Sequence, residues 1–388
     1  MVAVEQQIRQ RESELAVLRD QLQLLQHELV GLGGPPQKSP PAGETGRLSL
    51  SPLLSPLISA VKPGAGVSWQ DYIKDRSKFD RRGLHSLILQ AGVPLEMRHE
   101  VWPLCVRVHK YNFGLYDALL KTPSNAASAN FVKQIDQDIL RTLPDHSAFS
   151  APTASGVAPL KRILLAYTRR NPSIGYCQGL GLIAAGFLVN MEEEQAYWTF
   201  CATVENFLPQ DYYTPGMMSI MADQLVLGEL LQQHVPQLKQ HFDKCMFDLS
   251  IVSFNWFMTL FMDAFPLEVC FLSLSMSIPP PPLIYFSFPL SQTTFRIWDV
   301  LFCQGIKALF GVSLAILDTL QQDLLNIRNA GELCMKFKAL THTIYQSGPL
   351  LERSLDFTKS LSNRSLRDQS LAHLQRLRSK SPRTIGTK

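Results

Sequence analysis

Residues 135–142 read Ile135-Asp136-Gln137-Asp138-Ile139-Leu140-Arg141-Thr142, and residues 176–179 read Tyr176-Cys177-Gln178-Gly179. The first string has the spacing of a helix end. Asp138 and Arg141 stand at i and i+3, on one helical face, and Pro144 keeps the helix, expected over 128–141, from running much further. The second string follows a turn made by Asn171-Pro172 and Gly175. It opens a helix bearing Gly181, Ala184, Ala185 and Gly186, small residues that let a neighbouring helix approach. Taken singly, Asp138–Arg141 reads as a surface ion pair worth little stability, and Gln178 reads as a helix cap. Taken together, the strings offer one permanent cation and one neutral amide.

Outward from these strings the apolar period is helical. Leu160, Ile163, Leu164 and Tyr167 fall at i, i+3, i+4 and i+7, and Ile306, Leu309, Phe310, Leu317 and Leu320 form a similar stripe. Residues 216–233 place Met217, Ile220, Met221 and Leu225 on one expected face. No stretch shows sustained strand alternation with hairpin turns, and no fixed-period repeat occurs. Pro and Gly punctuate at Gly92, Pro94, Pro144, Pro172, Pro209, Pro215 and Pro236. The expected fold is all-α, a domain of a dozen or more helices over 67–357.

The flanks read differently. Ile8, Leu15, Leu22 and Leu29 recur every seven residues, with Leu18 and Leu25 between, so 1–30 is expected to be a coiled-coil segment, with a lone amphipathic helix as the alternative. Residues 31–66, rich in Gly, Pro and Ser, read as a disordered linker. Segment 271–294 is uncharged, contains Pro279-Pro280-Pro281-Pro282 and interrupts two helical stretches. Its residues have the pyrimidine-rich codons of a retained intron, so it reads as an insert. The same prolines split 269–294 too finely for a spanning helix.

The basic tail 358–388 holds eight Lys/Arg from Lys359 onward against one acid, Asp368, which accounts for the net +4. The remainder is slightly acidic, which argues against nucleic acid as a partner. A solvated, disordered tail is expected there, with a membrane-facing helix carrying Leu371, Leu374 and Leu377 as the alternative. Hydrophobic residues are 46% and charged residues 18%, enough for a substantial core. The seven dispersed cysteines contain no C-x-x-C, so neither a zinc site nor a disulfide framework is expected. No G-x-x-x-x-G-K-[ST] phosphate loop and no G-x-S-x-G elbow occurs. Cys177 has no adjacent base to activate it.

The paired strings I-x-x-D-x-x-R-T and Y-x-Q-G resemble the dual finger of TBC-domain Rab GTPase-activating proteins. Four further strings resemble the same family in the same order, from about Leu84 to Ile344. They are Gly92-Val93-Pro94 with Arg98 and Val101-Trp102; Asp211-Tyr212-Tyr213; Phe254-Asn255-Trp256-Phe257 with Leu260-Phe261; and Arg296-Ile297-Trp298-Asp299. The resemblance implies a multi-helix TBC domain that stimulates GTP hydrolysis by a Rab-family small GTPase in vesicle trafficking. Arg141 and Gln178 would be catalytic, supported by Asp138, Tyr176 and Gly179. GTP and Mg²⁺ would be held by the partner, with no cofactor of the chain's own. Arg98, Trp102, Trp256, Arg296, Trp298 and Asp299 are expected to be structural, the tryptophans as core and the charged residues as buried ties. The odd, dispersed cysteines fit a reducing cytosol, the resemblance implies a partner on a cytoplasmic endomembrane face, and the heptads offer a means of self-association. A non-catalytic Rab-binding scaffold or membrane adaptor is the alternative.

Overall fold

The computed structural model of this chain describes residues 68–380 apart from 79, 109–113, 123–125, 145, 210, 266–291 and 345–346. The expected coiled coil over 1–30, the linker 31–66 and all of the expected insert but its last three residues lie outside the described residues. Among the described residues the regular structure is helical, with no strand. The helices are α1 (Trp69–Lys74), α2 (Arg81–Ala91), α3 (Arg98–Cys105), α4 (Leu115–Lys121), α5 (Ala126–Ile139), α6 (Val157–Arg170), α7 (Leu180–Leu188), α8 (Glu193–Ala202), α9 (Met218–His234), α10 (Pro236–Lys244) and α11 (Ser250–Met258). After the undescribed gap come α12 (Gln292–Gln304), α13 (Lys307–Thr319), α14 (Gln321–Leu325), α15 (Ala330–Thr341), α16 (Ser347–Ser360) and α17 (Asn363–Lys380).

Local chemistry sets several starts. Ser68 and Asp71 form a reciprocal capping box on α1. Asp80 accepts from the Gly83 amide at 2.7 Å to start α2, and Asn329 accepts from the Glu332 amide at 2.8 Å to start α15. Pro236 occupies the first turn of α10.

Helix α13 is the hub. Residues Ala308–Leu317 are all buried, as expected of a helix apolar on every side. Its Gly311 lies against α16, where an added Cβ would fall 2.4 Å from Thr358 Cγ2 and 3.0 Å from the Ser354 carbonyl oxygen. An aromatic cluster joins α3, α7 and α12: Trp102, Phe187, Trp298 and Phe302 sit with ring centroids 4.9–6.0 Å apart. Trp298 is fully buried, and its indole N–H donates to the Leu260 carbonyl at 2.8 Å. Gly186 makes room for that indole, since a Cβ there would lie 2.6 Å from Trp298 Cη2. The small residues of α7 thus admit a large ring at this position. Trp256 is buried against Phe261 and Phe337.

Asp299 on α12 is a buried knot. It accepts from the Val93 amide at 3.0 Å, the Trp102 indole at 2.8 Å and Arg296 Nη1 at 3.1 Å. Arg98 Nε lies 3.5 Å away, with the guanidinium packed over the Trp102 and Phe295 rings. Sequence strings more than 190 residues apart are fastened by this one carboxylate.

Helix α12 begins at Gln292, inside the expected insert 271–294, and Thr293 and Thr294 are buried in its first turn. Two sequence expectations are corrected. The buried face of α9 is Ile220, Asp223, Val226, Leu227, Leu230 and Leu231, whereas Met221 and Leu225 are each 45% exposed. The reason is Asp223, an acid on the inward face that hides the true stripe. The folded part also does not end near Phe357. Most of the basic tail is α17, packed along α9 with Leu366 and Leu374 buried. Leu374 therefore does not share an open face with Leu371. Polar ties hold this helix: Ser370 Oγ donates to Asp223 Oδ1 at 2.5 Å, Arg378 to Asp211 Oδ2 at 3.0 Å, and His373 Nε2 lies 2.9 Å from Glu229.

Burial pushes the Asp223 carboxyl up to about 6, against the opposing pull of the Ser370 and Tyr212 hydroxyls. The folded state then holds this proton more tightly than the unfolded chain between about pH 4 and 6, so stability falls as pH rises through that window. The span is worth up to about 3 kcal/mol. Asp223→Asn is expected to flatten the slope of urea stability between about pH 4 and 6 relative to the unmutated chain. Parallel slopes would show that the fold does not hold this proton.

Candidate functional site: an arginine and a glutamine at adjoining helix ends

Helix α5 delivers Arg141. Beyond Ile139 the last turn tightens, with the Arg141 amide donating to the Asp138 carbonyl and the Thr142 amide to the Ile139 carbonyl, both at 3.1 Å. Leu143 then takes a left-handed conformation (φ 50°) and is buried, so the chain leaves the helix there, one residue before Pro144. Ile135 and Ile139 are buried beneath, and the Arg141 side chain is 61% exposed.

The Gln178 turn lies alongside. The Leu180 amide donates to the Cys177 carbonyl at 3.2 Å. Gly179 caps α7 with φ 101°, a conformation that favours glycine. Gln178 is exposed, and its side chain makes no capping bond to α7. Two contacts bring the turn against α5. Gly175 has φ 61°, and a Cβ there would strike the Phe131 ring at 2.2 Å; a Cβ on Gly181 would lie 3.2 Å from Thr142 Oγ1.

Asp138 joins the two halves. One carboxylate oxygen pairs with the Arg141 guanidinium. The other accepts the Tyr176 hydroxyl at 2.8 Å. Tyr176 is buried, and burial, followed by the Asp138 hydrogen bond, raises its phenol well above the ordinary range, so it stays a neutral donor. Cys177 is pushed up to about 11, first by burial and then by Asp138, and remains a thiol at neutral pH rather than a nucleophile. The structure thus places Arg141, Gln178, Asp138, Tyr176 and Gly179 in one neighbourhood. Arg98, Trp102, Trp256, Arg296, Trp298 and Asp299 lie in the interior described above.

Two further residues support the site. Thr142 is buried and donates to the Asp138 carbonyl at 2.8 Å; its place in the quoted string was the available signal. Tyr213 is buried and donates to the Met258 carbonyl at 3.1 Å, and Met258 packs beside Gly179. Nothing in sequence spacing linked Tyr213 to Gln178.

Residues 95–274 match the Rab-GTPase-TBC domain model. The human "TBC1 domain family member 2B" is 31% identical over 325 residues, covering 81% of this chain and 31% of that protein. The human "TBC1 domain family member 2A" is 33% identical over 294 residues, covering 75% and 29%. The crystal structure of the Chlamydomonas flagellar RabGAP TBC domain superposes with a TM-score of 0.60 at 28% identity, covering 79% of this chain and 92% of that one. The Ypt/Rab-GAP domain of Gyp1p shares the fold, with a TM-score of 0.58 at 18% identity. The chain belongs to the TBC-domain family of Rab GTPase-activating proteins. It spans about a third of the length of the curated relatives it matches.

Proposed function

We propose that this chain accelerates GTP hydrolysis by a Rab-family small GTPase on the cytoplasmic face of an endomembrane, with Arg141 and Gln178 as the two groups it contributes. The observation that carries the reading is the shared carboxylate, since Asp138 holds the Arg141 guanidinium with one oxygen and the Tyr176 hydroxyl, two residues from Gln178, with the other. The partner brings GTP and Mg²⁺. The Arg141 fork neutralises charge spread over the γ-phosphoryl oxygens in the transition state. The Gln178 amide, which can donate and accept at once, orients the attacking water. Leu140, 58% exposed beside Arg141, offers the partner an apolar contact. The test is single-turnover phosphate release from a panel of GTP-loaded Rabs. At least one is expected to be accelerated; binding without acceleration across the panel would favour a scaffold instead.

Asp138 is a positioning residue under this reading. Asp138→Asn is expected to slow stimulated hydrolysis by about tenfold to a hundredfold, because a small displacement of a catalytic group carries a penalty of that order. Tyr176→Phe is expected to act in the same direction more weakly. Full activity in Asp138→Asn would leave the shared carboxylate without a role.

A further inference from the structure

A cavity of about 540 Å³ lies among α2, α3, the turn between α12 and α13, and α17. Three arginines line it from three separate elements: Arg81 at the start of α2, Arg107 just beyond α3, and Arg367 on α17. Asn206, Gln304 and Asn363 complete the polar wall, and no Asp or Glu lines it. None of the lining residues belongs to the Arg141–Gln178 site.

The charge arrangement is uncompensated. All three arginines are exposed. Among the described residues none of them has a carboxylate at ion-pair distance, whereas Arg76, Arg162, Arg170, Arg353 and Arg378 all do. Gathering three like charges around one concavity costs electrostatic energy that an anion in the cavity would offset. The surrounding frame is fixed. Asn363 donates to the Gln304 carbonyl at 2.7 Å and accepts from the Lys307 amide at 2.9 Å, which locks α17 to the α12–α13 turn. Arg107 adopts φ 64°, a conformation that non-glycine residues rarely hold. The volume is that of a pocket for an organic ligand rather than a single inorganic ion. Guanidinium forks suit phosphate oxygens, which they engage in pairs.

We infer that this cavity binds a small polyanion carrying two or more phosphate groups, held by Arg81, Arg107 and Arg367. The ligand chemistry is shared by a soluble polyphosphate and by the headgroup of a multiply phosphorylated lipid. Because Arg367 sits on α17, an occupied cavity also clamps that helix in place.

The full chain is titrated calorimetrically with pyrophosphate and with inositol hexakisphosphate. In parallel it is floated with phosphatidylcholine vesicles, with and without a phosphatidylinositol bisphosphate. Saturable binding is expected in at least one arm, with a rise in melting temperature on addition of ligand. Arg107→Ala and Arg367→Ala are each expected to weaken binding by about tenfold. Arg107→Glu combined with Arg367→Glu is expected to abolish it without lowering the unliganded melting temperature. Arg364→Glu combined with Arg376→Glu, on the same helix but outside the cavity, is expected to leave binding within about twofold of the unmutated chain. Soluble binding without flotation identifies a free polyphosphate, and flotation that needs Arg107 and Arg367 identifies a headgroup. No saturable binding in any arm, or binding that survives the Arg107/Arg367 double variant, overturns the proposal.

Discussion

Arg141→Ala is expected to lower stimulated GTP hydrolysis by roughly 10³–10⁵-fold, the range over which arginine fingers act. That factor corresponds to about 4–7 kcal/mol of transition-state stabilisation. The loss is expected with little change in fold stability. The Arg141 side chain is 61% exposed, and the buried Asp138 keeps the Tyr176 hydroxyl as a donor when the guanidinium is removed, so the stability change is expected to stay at about 1 kcal/mol. Arg141→Lys keeps the charge and loses the fork, so it is expected to recover only part of the rate. Gln178→Ala is expected to fail similarly, because the lytic water then lacks its guide. The assay is single-turnover phosphate release at saturating chain, with the urea midpoint measured alongside. Hydrolysis by Arg141→Ala at the unmutated rate would dispose of the mechanism. A fall in rate matched by a fall in the urea midpoint would point to structural damage instead.

Asp299→Leu is expected to be the most damaging single change to the fold described here, by about 3–5 kcal/mol. The substitution removes the acceptor for the Val93 amide and the Trp102 indole and leaves Arg98, 6% exposed, as a buried cation without its counter-charge. Desolvation already lowers the Arg98 pKa, and Asp299 is the main opposing influence. Leucine matches aspartate in rough size but satisfies none of these groups, so the loss is electrostatic rather than volumetric. Urea denaturation measures it. A destabilisation below about 1 kcal/mol would mean that the knot is dispensable.

The fold class was legible because helical periodicity survives wherever a helix buries one face. Leu160, Ile163, Leu164 and Tyr167 are all buried in α6 as their spacing requires. Periodicity misread α9, where Asp223 occupies an inward position and two methionines of the expected face bracket the buried Ile220. Helix ends were harder still. Leu143, Met246 and Leu260 all end helical segments in left-handed conformations usually left to Gly or Asn. The Phe247 amide donates to the Phe242 carbonyl and the Phe261 amide to the Trp256 carbonyl, both at 2.8 Å, closing these ends without a glycine signal. The site strings could be read because Asp138 and Arg141 are close in sequence. The Asp138–Tyr176 bond spans 38 residues and no local pattern encodes it. The tail was misjudged by composition: α17 is strongly polar, and its attachment rests on Leu366, Leu374 and a few side-chain bonds.

That attachment decides where the chain can be cut. A fragment stopped at residue 357, after the final family-like string, would strip the cover from α9. Asp223 would lose its Ser370 donor, and the part of α9 that α17 covers would meet water. Such a fragment would be sticky for reasons unrelated to catalysis, and its failure in an assay would say nothing about Arg141 or Gln178.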